Sequence, residues 1–99
     1  MAAIQDITRE LVFSLLPPRA PESHKGNYGK VLAVCGCAEY RGAAVLACLG
    51  ALRAGAGLVT LAAPECVRAA AAPRMLEATY LCAQSREELL AAAGQYTVC

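Results

Sequence analysis

Ser23-His24-Lys25-Gly26-Asn27-Tyr28-Gly29-Lys30 runs directly into Val31-Leu32-Ala33-Val34-Cys35-Gly36, and Tyr40-Arg41-Gly42-Ala43-Ala44 then opens a helix. Val31 to Val34 is a continuous apolar run bounded by Gly29 and Gly36. Such a run predicts a strand covered on both faces, as in parallel sheets. The preceding loop holds the chain's single His and both of its Lys, Lys25 and Lys30. Open α/β sheets place ligands in loops at strand ends, so this stretch is the first place to look for a site.

Downstream, the pattern repeats. The segment from Gly42 to Gly55 predicts a helix whose one charge is Arg53. A helix apolar nearly all round is expected to be buried nearly all round. Ala43, Ala47, Ala51 and Gly55 fall four residues apart and predict a flat stripe for close packing. Gly55-Ala56-Gly57 ends the helix, and Leu58 to Ala63 predicts a second buried strand. Pro64-Glu65 opens a short helix to Ala72, stopped by Pro73, and Met75 to Leu81 predicts a third strand. Ser85 with Glu88 three residues on forms a capping box for a helix to about Ala93. Tyr96 to Cys99 reads as a strand just begun. Upstream, Ile7, Leu11, Val12, Leu15 and Leu16 give a helical period over Ile4 to Leu16, capped by Asp6 or Thr8 and stopped by Pro17-Pro18. Alternating strands and helices predict an α/β fold with a mainly parallel sheet.

The chain has 99 residues, of which 58% are hydrophobic, with a net charge of +1. A domain this small has much surface and should need more polar cover, so the excess predicts faces covered by something outside these residues. A membrane is a poor candidate, since Arg41, Arg53, Glu65, Arg68 and Arg74 interrupt the apolar runs. Asp6, Arg9 and Glu10 argue against a signal peptide, which makes cytoplasmic the expected location. The small net charge and the 5% aromatic content give no case for nucleic acid. The six Cys show no C-x-x-C pair and have one His beside them, so reduced, buried structural thiols are expected and no metal site.

Familiar catalytic motifs fail on spacing. Gly36 to Gly42 has five intervening residues and Ala43-Ala44 where a phosphate loop carries Lys-Ser. Gly36-Cys37-Ala38 lacks the second Gly of a dinucleotide fingerprint. No Ser sits in a glycine-rich elbow, and the carboxylates are scattered. His24 and Lys25 can bond local carbonyls, or Lys25 and nearby amides can hold an anion. Tyr28 and Tyr40 suit packing lids and ligand contacts equally.

Taken in order, Leu16-Pro17-Pro18-Arg19, Ser23 to Leu32, Tyr40 to Ala44, Ala51 to Thr60 and Pro64 resemble the opening of the ADP/ATP-dependent NAD(P)H-hydrate dehydratases. The resemblance implies a three-layer, ribokinase-like, mainly parallel sheet, with residues 1–99 forming the N-terminal part of a single domain truncated after its first βα units. It implies a lyase of metabolite repair. ADP or ATP with Mg2+ phosphorylates the added hydroxyl of hydrated NADH or NADPH, and phosphate, a far better leaving group than hydroxide, departs to restore NAD(P)H.

The family's Lys-Gly nucleotide segment and its GTGD-type anion hole with the catalytic Asp have no counterpart here, since Asp6 is the only Asp. No catalytic residue is therefore expected in this chain, which alone should be inactive. The resemblance places substrate contact at Gly42, Ala43 and Ala44, and a possible pocket wall at His24, Lys25, Gly26 and Tyr28. It implies NAD(P)H hydrate as partner and a homo-oligomer at full length. Two alternatives stand beside it: a fragment of a ribokinase-like small-molecule kinase, and a non-catalytic truncated chain that binds a partner through its apolar helix.

Overall fold

The structure is a computed structural model that describes residues 3–16, 21, 28–83 and 85–99. Among the described residues the elements follow in the order α1 (Arg9–Leu15), β1 (Lys30–Val34), α2 (Arg41–Ala54), β2 (Leu58–Ala62), α3 (Glu65–Ala71), β3 (Thr79–Leu81) and α4 (Arg86–Ala93), with a 3-10 turn, Ala72–Arg74, after α3. The three strands form a parallel sheet in the order β1-β2-β3. The expected α/β architecture with a parallel sheet is therefore what the chain adopts.

The sheet begins a fourth strand on the other side of β1. Val98 bridges Val31 in parallel, Leu32 N–H donates to Val98 O at 2.8 Å, and Thr97 N–H donates to Lys30 O at 2.8 Å. The chain thus steps from β1 to β2 to β3 in one direction, then returns through α4 to the opposite flank of β1. A reversal of this kind opens a crevice at the carboxyl ends of the strands on either side of it.

One core lies between the sheet and the pair α2 and α3. Ala44 and Cys48 of α2, Val59 and Leu61 of β2, and Val67 and Ala71 of α3 are all fully buried there. Period-two alternation sends Leu32, Thr60 and Thr79 to the opposite face. Thr60 is a buried polar residue. Its hydroxyl receives a hydrogen bond from Tyr96 O–H at 3.0 Å and lies 2.6 Å from the Thr79 hydroxyl. The polar group is paired, which removes the cost of burying it.

Helix ends follow the sequence closely. Gly55 has φ +112°, with Ala56 N–H donating to Ala51 O at 3.1 Å and Gly55 N–H to Leu52 O at 3.2 Å, the paired bonds of a Schellman stop. Ser85 Oγ accepts from Glu88 N–H and Thr8 Oγ1 from Leu11 N–H, each at 3.1 Å. Of the two expected caps for α1, Thr8 is the one used.

Several expectations are corrected. In β1 only Leu32 is buried, and Val34 is 54% exposed because the carboxyl end of the strand opens onto a cleft. The third strand is shorter than Met75 to Leu81: residues 75–78 form a turn anchored by buried Met75 and Ala78. Helix α2 is buried on one side. Ala44 and Cys48 face inward, while Ala43, Leu46, Ala47 and Gly50 are exposed, so the packing stripe runs one residue along from the one expected. No residue of α1 is buried, although its apolar spacing is helical. Cys48 is a buried hydrophobe, but Cys37 and Cys82, in the loops that leave β1 and β3, are exposed, as is Cys99. Among the described residues no helix is long and apolar enough to cross a membrane.

Candidate functional site

The crevice at the strand ends is a cleft of about 330 Å³. Its wall is made by Val34-Cys35-Gly36 leaving β1, Ala62-Ala63-Pro64 leaving β2, Ala83 beyond β3, and Leu89 of α4. None of these side chains carries a formal charge. Cys35 supplies the one polar side chain, and burial pushes its thiol up from the ordinary range. It therefore stays protonated at neutral pH and is a poor nucleophile.

Gly36 seats the turn after β1 closely on the core. Its φ is +91°, a region that L side chains rarely adopt. A Cβ built there would lie 2.9 Å from Val67 Cγ1 and 3.0 Å from Ala44 Cβ. The β1–α2 turn thus rests directly on the first turns of α2 and α3.

The three residues expected to meet substrate are divided by this arrangement. Ala44 is 0% exposed, with its methyl in the core under Gly36. Gly42 and Ala43 are exposed on the first turn of α2. There the backbone amides have no intrahelical partner, and Tyr40 provides no side-chain cap. A Cβ on Gly42 would meet nothing within 4 Å, so neither packing nor backbone angle requires glycine at this position. None of the three lines the cleft, although all lie near the start of the helix that follows the β1–α2 connection.

His24, Lys25 and Gly26 lie outside the described residues. Tyr28 is half-buried at the amino end of β1, while Gly36 and Gly42 follow its carboxyl end. Five strand residues separate the two ends by roughly 16 Å. The structure does not bring Tyr28 together with Gly42 and Ala43. Ala62, Ala63, Pro64, Ala83 and Leu89 were not singled out from the sequence. The signal available for them was the position of Ala62 to Pro64 and Ala83 just past apolar strands.

The described residues do not fit a nucleotide–Mg2+ site. The cleft offers no cation, and among the described residues no group of three or more His, Cys, Asp or Glu could hold a metal ion.

Comparison with known proteins agrees with the resemblance. The sequence profile of the NAD(P)H-hydrate dehydratase family matches residues 31–99. The ADP-dependent (S)-NAD(P)H-hydrate dehydratase of Bacillus subtilis is 45% identical over 73 residues, which cover 74% of this chain and 26% of that enzyme. A crystal structure of the ADP/ATP-dependent enzyme from B. subtilis, grown with ATP/Mg2+, superposes with a TM-score of 0.68 at 44% identity, covering 75% of this chain and 27% of that one. A ribokinase-like superfamily protein from Enterococcus faecalis, 23% identical, superposes at 0.70 over 89% of this chain and 30% of its own, a likeness of fold. The chain thus spans about a quarter of the length of the first of these relatives. With a profile match covering more than half of its residues, the chain belongs to the NAD(P)H-hydrate dehydratase family.

Proposed function

We propose that this chain supplies the substrate-side, N-terminal portion of an enzyme that returns hydrated NADH or NADPH to NAD(P)H. The observation that carries the reading is the family match over 31–99, which includes the whole β1–α2 connection at the sheet's point of reversal. In this reading the chain binds and orients. Gly42 and Ala43 present backbone without bulk, so a ligand can approach the start of α2 closely. Positioning of this kind is much of what a phosphoryl-transfer enzyme contributes. His24, Lys25 and Gly26 belong to the proposal as a wall of the same site. ADP or ATP and Mg2+ would be held by polypeptide beyond these residues, so no step is assigned to them here. The outward face of α2, with Leu46 74% exposed, supports self-association of the full-length protein.

The test is turnover. A longer polypeptide containing these residues, given NADH hydrate, Mg2+ and ADP or ATP, should restore the near-ultraviolet absorbance of the dihydronicotinamide. The 99-residue chain alone should not. If phosphate is transferred to an unrelated small molecule and the hydrate is left untouched, the kinase reading replaces this one.

A further inference from the structure

Cys35-Gly36-Cys37 sets two thiols on either side of one glycine in the turn that leaves β1, and the proposed function uses neither of them. Cys35 is half-buried and lines the cleft, whereas Cys37 is exposed. Residues 35–37 belong to no strand or helix.

Residues two apart in sequence have Cα atoms at most roughly 7.2 Å apart in a fully extended chain. A disulfide needs about 4.4–6.8 Å. Gly36, with φ +91°, takes the chain out of full extension and so shortens the span toward that window. Cys82 and Cys99 are also exposed, but neither has a second Cys within two residues of it in the sequence.

The two thiols differ in access, and each suits a different step. A small disulfide in solution meets Cys37 first. Burial keeps Cys35 protonated at neutral pH and slow toward a reagent arriving from bulk water. Held beside a mixed disulfide on Cys37, the same thiol reacts intramolecularly, and effective molarity offsets its small thiolate fraction.

We propose that Cys35 and Cys37 form a redox-active dithiol that small organic disulfides oxidise to an intramolecular bridge. The Cys37 thiolate attacks one sulfur of the small disulfide and expels the first small thiolate. Cys35 then gives its proton to water, its sulfur attacks that of Cys37, and the second small thiolate leaves. Two protein thiols and one small disulfide become one protein disulfide and two small thiols, so electrons and protons balance. The step uses this chain's own thiols and is independent of the dehydratase reading.

In the experiment, the chain is incubated with glutathione disulfide, quenched with acid, alkylated and mapped by mass spectrometry. The segment bearing Cys35 and Cys37 should lose the mass of two hydrogens and carry no glutathione. Cys35→Ser should strand glutathione on Cys37, raising that adduct by about tenfold or more over the unsubstituted chain. The rate of bridge closure should rise about tenfold per pH unit just above neutrality, as the thiolate fraction of Cys35 does. Phenylarsine oxide, which condenses with two thiols and releases water, supplies a measurement that needs no variant: one equivalent should shield Cys35 and Cys37 together from alkylation. Glutathione persisting on Cys37 in the unsubstituted chain, a bridge from either thiol to another cysteine, no excess of adduct in Cys35→Ser, a closure rate flat in pH, or free alkylation of both thiols beside the arsenical would overturn the proposal.

Discussion

Gly36 lies so close to Ala44 that a Cβ on the glycine would stand 3.0 Å from the alanine Cβ, tighter than ordinary van der Waals contact. This contact seats the turn after β1 on the helix that follows, and the same glycine then forms part of the cleft wall. Gly36→Ala combines a disfavoured φ with a clash against Val67 and Ala44. The expected loss is about 2–4 kcal/mol. Urea unfolding should show the midpoint falling sharply or the cooperative transition disappearing; an unchanged midpoint would contradict the packing described.

Gly42 and Gly50 offer a contrast within one helix. A Cβ on either would meet nothing within 4 Å, and neither has a positive φ. Alanine at each position should therefore stabilise the chain by about 0.5–1 kcal/mol. Gly42→Ala should also lower affinity for NAD(P)H hydrate in the full-length protein, because the added methyl stands where ligand approaches. Gly50→Ala should leave that affinity unchanged. Equal affinities in both variants would remove Gly42 from the proposed site.

The hydroxyl chain Tyr96–Thr60–Thr79 ties the segment after α4 to β2 and β3 across the sheet face. Thr60→Val removes the central group and leaves Tyr96 O–H without its acceptor. A cost of about 1–3 kcal/mol follows from that orphaned donor. Tyr96→Phe removes the donor along with its need and should cost less, about 0.5–1.5 kcal/mol. Thermal unfolding of the two variants side by side tests the order.

Three acids resist ionising in the folded chain. Burial pushes up the thiols of Cys35 and Cys48, with Cys35 adding to the effect on Cys48, and burial together with Cys48 raises Tyr80. Because the folded values lie above the unfolded ones, the stabilisation is complete below the unfolded pKa and is lost as pH rises through the folded one. Unfolded thiols ionise at about pH 8.5, so stability should hold at neutrality and decline progressively above that point. Denaturation midpoints measured from neutral to strongly alkaline pH should fall. A midpoint rising with pH would contradict the burial.

Thiol accessibility gives an independent reading of the fold. Cys37, Cys82 and Cys99 are exposed and should react at once with a thiol reagent, whereas Cys48, fully buried, should react only as the chain opens. Peptide mapping after timed alkylation distinguishes them. Early labelling of Cys48 would show that α2 does not pack on the sheet as described.

Much of the backbone was legible in local chemistry. Apolar runs marked β1 and β2, Gly55 marked the end of α2, and Ser85 marked the start of α4, because each depends on residues within one or two turns of itself. Burial was less legible. The stripe Ala43, Ala47, Ala51 and the inward set Ala44, Cys48 are both small and apolar, so composition does not choose between them. The choice is made by Gly36 and Val67, which come from other elements and meet Ala44.

The candidate site shows the same division. By itself the sequence determined the order of strands and helices, the family to which they belong, and the absence here of the family's phosphate-holding and catalytic motifs, since all of these are written in residue types and short spacings. Only the tertiary structure decided that Tyr28 stands at the far end of β1 from the cleft, that Ala44 is core while Gly42 and Ala43 are surface, and that Ala83 and Leu89 close a cavity with Gly36. Those facts depend on the chain reversing direction at β1, a long-range pairing of Val31 with Val98 that joins residues far apart in sequence and that no local pattern encodes.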